Sequence, residues 1–325
     1  MPVTLVSGNT RTVYAAAQSA KGTAATTPTR KFHLTEETMD PGRSIIQLPE
    51  TDSSSQVADY NVVGAEPGGT FGTWLRPNDC DILFYSLMQA VATTGTTNYT
   101  HTITPSVTPV YLTLWDVIPG VLTTKFVDCR VVSGAVTGQS GQGISVAWEL
   151  RGLQALLGQT EPTLPAAFAT DNAMTYPMVT VTRGGVHNGD VDAFSLTINR
   201  GGQYFLGDNG LQAADYVFGL FGIEGSLTLA FQNDQEYRAF NTGSTVGTNL
   251  TTTMYDQTLS ILVSIDSTHQ VTFTSQGVRY TSYPVPIDTG GAPIIVAAGI
   301  SGKRQAVFGD YMTVQVKNQN TTPST

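Results

Sequence analysis

The residues best suited to chemistry in this chain are its carboxylates. Asp190 and Asp192 stand two apart at the start of an alternating segment. Glu36, Glu37 and Asp40 form a second acidic group, and Asp79 with Asp81 a third. A glycoside hydrolase needs two such acids a few ångströms apart, one to protonate the leaving oxygen and one to attack or to activate water. Plainer roles account for these acids: turn residues, a solvated face and a helix N-terminus. A calcium loop opening at Asp190 fails, because Phe194 holds the fifth place and Ser195 the place where the turn requires Gly. His33, His101, His187 and His269 are isolated from one another and read as surface or interface residues, not metal ligands. Cys80 and Cys129 lack CxxC spacing and read as two small buried hydrophobes, as suits a reducing cytoplasm. Gly138-Gln-Ser-Gly-Gln-Gly143 reverses the glycine order of a dinucleotide loop and joins two alternating runs, which makes it a hairpin turn. Gly302-Lys303-Arg304 lacks both the spacing and the hydroxyl of a phosphate loop. The expectation is no catalytic residue, no cofactor and no metal.

Charge also argues against nucleic-acid binding. The 325 residues carry 16 Lys plus Arg against 25 Asp plus Glu, a net charge of −9, with 13% charged residues in all. An ordinary globular protein has about 25%. Lys numbers 5 and Thr 48, and the bases are scattered, with Arg30-Lys31 and Lys303-Arg304 the only neighbours. Such a chain repels phosphate. A helical bundle would need more Lys, Glu and Leu, and a hydrophobic content of 40% excludes disorder. The N-terminal segment lacks the apolar run of a signal peptide. The longest apolar stretch, Ala292 to Ile300, is short and contains Pro293 and Gly299. The expectation is a chain neither secreted by that route nor inserted in a membrane. So much uncharged polar surface has to be paired or shared with other subunits.

The elements that would position these residues are strands. Ile144, Val146, Trp148 and Leu150 alternate with Ser145, Ala147 and Glu149. Phe194, Leu196 and Ile198 alternate with Ser195, Thr197 and Asn199. Leu227, Leu229 and Phe231 alternate with Thr228 and Ala230, and residues 259–265, 271–273 and 314–316 repeat the pattern. Period two with β-branched and aromatic enrichment predicts strands with one buried and one polar face. Two segments break it. Residues 76–91 predict a helix capped by Asn78 or Asp79, with Asp81 at its positive end and Leu83, Leu87 and Val91 on one stripe. Residues 233–240 predict a shorter one. Each helix is expected to plug an open end of a β-structure.

Composition divides the chain. Residues 1–55 have little periodicity and predict an extended N-terminal arm with a strand near Arg30–Thr35. Residues 56–317 form the β domain, as two weakly similar halves, 56–152 and 178–317. The Pro-bearing stretch 153–177 is a connector between them, and 318–325 a flexible tail.

Several ordered segments resemble the tail tube (major tail) proteins of long-tailed, siphophage-type phages. They are Tyr99-Thr-His-Thr-Ile-Thr-Pro105, Leu112-Thr-Leu-Trp-Asp116, Phe126-Val-Asp-Cys-Arg-Val-Val-Ser-Gly134 with the turn after it, and Phe194-Ser-Leu-Thr-Ile-Asn199. Gly222-Ile-Glu-Gly-Ser-Leu-Thr-Leu-Ala-Phe231 and Tyr237-Arg-Ala-Phe-Asn-Thr-Gly243 complete the set, and the likeness covers residues 57–317. The resemblance implies an all-β fold with one or two short helices, a β-barrel or sandwich. It also implies six copies in a ring, each lending a sheet to a large shared inner barrel, and rings stacked into a hollow tail tube. With about four strands per copy at ~4.8 Å spacing, the inner circumference is on the order of 150 Å and the diameter ~50 Å, wide enough for a DNA duplex.

Membership of that family would make this a structural virion protein without enzymatic activity or cofactor. It would be assembled in the host cytoplasm, sit in the virion tail and pass phage DNA to the host without binding it specifically. Its partners would be further copies of itself and the tape-measure, tail-terminator and baseplate proteins. The arm and connector would bridge neighbouring rings. If the alternating strands line the lumen, Ser145, Glu149, Ser195, Thr197, Glu224, Ser226 and Thr228 face it, and Trp148, Leu196, Leu227 and Leu229 face the core. The alternatives are a baseplate or tail-terminator ring and, from the acids alone, a tail-associated glycan hydrolase.

Overall fold

A computed structural model describes residues 10–48, 59–163, 172–187, 189–208, 210–286 and 293–323. The chain opens with β1 (Thr12–Ala17), β2 (Arg30–Phe32), β3 (Leu34–Glu37), β4 (Arg43–Leu48), β5 (Asp59–Ala65) and β6 (Gly68–Trp74). Helix α1 (Pro77–Met88) leads into β7 (Gln89–Thr94), β8 (Tyr99–Pro105), β9 (Leu112–Ile118), β10 (Leu122–Gln139), β11 (Ser145–Arg151) and β12 (Gln154–Leu156). Then come β13 (Val179–Arg183), β14 (Val191–Asn199), β15 (Gly202–Phe205), β16 (Asp215–Phe218) and β17 (Gly222–Ala230). After α2 (Gln235–Thr242) the chain ends with β18 (Gln257–Ser264), β19 (Gln270–Ser282), β20 (Ile295–Gly302) and β21 (Thr313–Asn318). The fold is β-rich and its strand pairings are antiparallel, as the sequence predicts. Among the described residues no helix is long and apolar enough to cross a membrane.

The main sheet runs β3–β6–β11–β10–β14–β17–β20. A second layer runs β13–β18–β19–β21–β8–β7, and a third β2–β1–β9–β10–β12. Two long strands stitch the layers into a closed barrel by changing partners midway. The first half of β10 pairs with β9 and the second with β11 and β14, with register shifts on either side of the crossover. Asp128, at the crossover, has φ 56, a left-handed conformation that Asp tolerates, and its carboxylate accepts the Gly22 N–H at 2.7 Å. In the same way β19 passes from β18 and β21 to β20.

Helix α1 is wrapped by these layers. Of its residues, Ile82, Leu83, Phe84, Leu87 and Met88 are fully buried, and so are the polar Asp81 and Ser86. The Phe84 ring stands edge-on to Trp148 of β11 at 4.8 Å and to Phe273 of β19 at 5.5 Å, joining two layers through one side chain. The helix differs from its predicted form at both ends. Arg76 is the N-cap residue and makes no side-chain cap bond, and Asn78 accepts the Gln319 N–H instead. Asp81 points inward onto Arg30, where Nε and Nη2 reach its two oxygens at 3.0 and 2.9 Å. Gln89, at φ 80, stops the helix, so Val91 lies in β7.

Three boundaries differ from the sequence expectation. Much of the predicted arm is built into the barrel: Val13, Ala15 and Phe32 lie in the core, and Phe32 meets Phe71 at 5.5 Å. Strand β1 is covered on both faces, with Tyr14 and Ala16 packed on Trp115 and Val117, and two-sided burial of Ala and Val erases the alternation that would mark a strand. Within residues 10–48, β4 is exposed throughout and forms a separate ribbon with β5. The arm's residues 1–9 and 49–55, the connector's 164–171 and the predicted turn at 288–291 lie outside the described residues. The ends of the connector belong to the fold: β12 pairs with β10, and Met174 is buried. The tail is tied down as far as it is described. Asn318 is fully buried and closes β21, and Asn320 Nδ2 donates to Asp81 at 2.8 Å.

Candidate functional site

The residues proposed from sequence fall on one surface, the outer face of the main sheet. Strand registers set them in rows. One row runs Trp74, Ser145, Thr137, Ser195, Ser226 and Gly299 across β6, β11, β10, β14, β17 and β20. The next runs Gly72, Ala147, Ala135, Thr197, Glu224 and Ser301. Glu149 pairs with Thr70 and Ser133 in a third row, and Thr228 with Ala193 and Ala297 in a fourth. Beneath this face Trp148, Leu196, Leu227 and Leu229 are buried, each at most 2% exposed. A slip of one residue in any of these strands would exchange the two sets, and the apolar side fixes the register.

Apart from Trp74 on β6, the chemistry of the face is small, polar and almost uncharged. Thr137 and Ser145 share a hydroxyl–hydroxyl bond at 2.7 Å across β10 and β11. From β6 to β20 the charged side chains in these rows are Glu149, its strand neighbour Arg151 and Glu224. Arg151 Nη2 donates to Glu149 Oε1 at 2.5 Å, so that pair is neutral as a unit. Glu224 is exposed and has no ion-pair partner among the described residues. Sequence reasoning missed Arg151, although period two places it on the same face as Glu149. It also missed Ser133, Ala135 and Thr137 of β10, because the register shift between Val131 and Ser133 resets the alternation there.

The acids that might have served catalysis are engaged or apart. Asp190 receives Arg183 Nη2 on both oxygens at 2.8 Å, and Arg183 Nη1 reaches Glu236 Oε2 at 2.9 Å. This triad anchors α2 beside a polar cavity of about 240 Å³ that Asp192 does not line. Asp79 lies near His33, while Asp81 is consumed by Arg30. Glu37 shares Arg11 with Asp116. His101 is a core residue, contrary to expectation: Thr93 Oγ1, Asn318 Oδ1 and the Asn320 carbonyl surround its ring nitrogens at 2.9 to 3.1 Å. Burial pushes the Cys129 thiol far up, which leaves it inert as a nucleophile. No group of three or more His, Cys, Asp or Glu placed to hold a metal occurs among the described residues.

No curated protein sequence matches this chain. The phage tail tube protein family matches it over residues 8–302, from before β1 to the end of β20. A match of that extent covers the main sheet with every row described above, and the chain belongs to the phage tail tube protein family, a structural component of the virion tail.

Proposed function

We propose that this protein assembles as stacked hexameric rings into the hollow tail tube of a siphophage, and that the outer face of its main sheet lines the channel through which DNA passes. What carries this reading is the face itself: six strands bearing mostly Ser, Thr, Ala and Gly, with Trp74 on β6, one self-neutralised ion pair and one free carboxylate. Each fixed phosphate contact adds affinity and would hold the duplex in place. A wall of short, uncharged side chains offers none, and Glu224 adds repulsion. Joining such sheets edge to edge around a ring also removes the exposed strand edges that invite aggregation. The role is structural, without catalysis or cofactor; Asp190 and Asp81, one from each of two acid pairs, are engaged by the buried Arg183 and Arg30.

The β4–β5 ribbon fits contact between rings. It exposes Ile45, Ile46, Leu48, Tyr60 and Val63, and apolar side chains on a two-stranded ribbon held to the rest of the fold, among the described residues, only near Ala65 gain stability from a neighbour. Tape-measure, terminator and baseplate proteins are the other partners of this role, with assembly in the host cytoplasm. Negative-stain electron microscopy of the purified protein tests the reading. Long hollow tubes are expected, and single capping rings or monomers at every concentration would overturn it.

A further inference from the structure

Four arginines of the described chain are buried: Arg30, Arg130, Arg183 and Arg200. Two are neutralised in the ordinary way, Arg30 by Asp81 and Arg183 by Asp190 and Glu236. Arg130 and Arg200, 7% and 5% exposed, have no carboxylate within ion-pairing distance among the described residues. Both lie against the Phe218 ring, with Cζ at 3.5 and 4.8 Å from its centroid. Tyr111 flanks Arg130 at 5.5 Å and Phe221 flanks Arg200 at 5.7 Å, extending the stack of rings and cations. The remaining partners are backbone carbonyls: Tyr216 O for Arg130 Nη1 at 2.9 Å, and Ser106 O at 2.9 Å and Leu87 O at 3.5 Å for Arg200 Nη1. Both Nε atoms are buried without a hydrogen-bond partner. Two like charges this close and this dry disfavour each other. Burial, with Arg130 beside it, pushes the Arg200 guanidinium down to about 10.

We propose that Arg130 and Arg200 form a receptor for a carboxylate side chain of a second copy of this chain. Buried guanidinium groups without a counter-charge are stabilised most by a carboxylate brought against them. The chain carries 25 acids against 16 bases, so neighbouring copies bring carboxylates in excess. The surroundings suit protein better than DNA. Val217 and Leu220, on either side of Phe218, are 57% and 94% exposed, and Phe205 on the paired strand is 61% exposed. Aromatic and Arg anchors inside an apolar rim are the makings of a protein interface, whereas DNA interfaces are more polar. This inference rests on the self-assembly proposed above and adds where two copies meet and by what chemistry.

The test compares wild type with Arg130→Lys and Arg200→Lys, which keep the charge and one donor but lose the planar fork. Thermal unfolding of unassembled protein checks folding, sedimentation reads the concentration of half-assembly, and cryo-electron microscopy of wild-type assemblies reads the site. Expected are variants that still unfold cooperatively, with midpoints lowered by the lost ring stacking, a half-assembly concentration raised about tenfold, and a neighbour's carboxylate within ~4 Å of either guanidinium. Folded variants that assemble like wild type would overturn the receptor. If the variants do not fold, the reconstruction decides: a pair facing only solvent or its own chain overturns it. Retention of a labelled duplex by wild type but not by Arg200→Lys would assign the pair to phosphate and overturn it also. Wild type that assembles while the receptor fails leaves the tube reading standing, whereas wild type that never assembles defeats both.

Discussion

Arg151 and Glu149, two residues apart on the same face of β11, close an ion pair at 2.5 Å, with each side chain 36% exposed. The pair divides charges that the sequence alone treats as equivalent. Glu149 compensates a neighbour, whereas Glu224 stands free on the same face.

The consequence for DNA passage is specific. Glu149→Gln leaves Arg151 uncompensated, and Glu224→Lys places a cation where there was an anion. Each added contact is worth on the order of 1 kcal/mol near a surface, so ejection from intact virions should slow by about fivefold or more. Arg151→Gln frees a carboxylate instead and should not slow ejection. Equal rates for all three variants in correctly assembled tails would place this face away from the DNA.

Phe84 ties α1 to two sheet layers at once. Phe84→Ala should lower unfolding free energy by about 3–5 kcal/mol, read from the denaturant midpoint at unchanged slope. A loss well under 1 kcal/mol would mean the helix is not the plug between layers.

Asp81 predicts an acid dependence. Burial opposes its charge, but Arg30 and then Asn320 hold its carboxyl below the ordinary value of 3.8. A depressed acid stabilises the fold above its unfolded value, and that contribution is lost as pH falls through the folded one. Asp81→Asn should cost about 3–5 kcal/mol at pH 7, because the buried Arg30 loses the carboxylate that faces it. Its deficit against wild type should shrink below about pH 3.8. Parallel denaturation curves down to pH 2 would contradict this.

Glu37 predicts the opposite slope. Burial, then the neighbouring Asp116 carboxylate, pushes its acid from 4.5 up to about 7, although Arg11 contacts it. An acid raised on folding favours the folded state below its unfolded value, and that advantage disappears as pH rises through the folded one. Wild type should therefore lose stability relative to Glu37→Gln between pH 4.5 and about 7. Urea midpoints at the two ends of that window check it, and a constant difference would count against the shift.

The parts of the fold legible in sequence are those where one face is wet. In β11, β14, β17, β18 and β21 the apolar set alternates cleanly, and their partners follow from it. Burial on two sides hid β1, whose Ala-rich sequence has no polar face to alternate. Bulges hid β10: Asp128 and the shift before Ser133 move its side chains out of phase, so half of the central strand of the face was not recognised. The helix stop at Gln89 depends on a left-handed residue that is not Gly, for which sequence offers no signal. The buried His101 and Asn318 and the half-buried Asn320 meet across more than 200 residues, and no spacing pattern connects them.

The central claim is that the face bearing Thr197, Ser226 and Glu224 lines a channel. A cryo-electron microscopy reconstruction of tubes assembled from the purified protein tests it most directly. The account predicts those three side chains on the inner wall of a hollow tube, in a sheet continuous from copy to copy. Finding them on the outer surface, or buried between stacked rings, would contradict it.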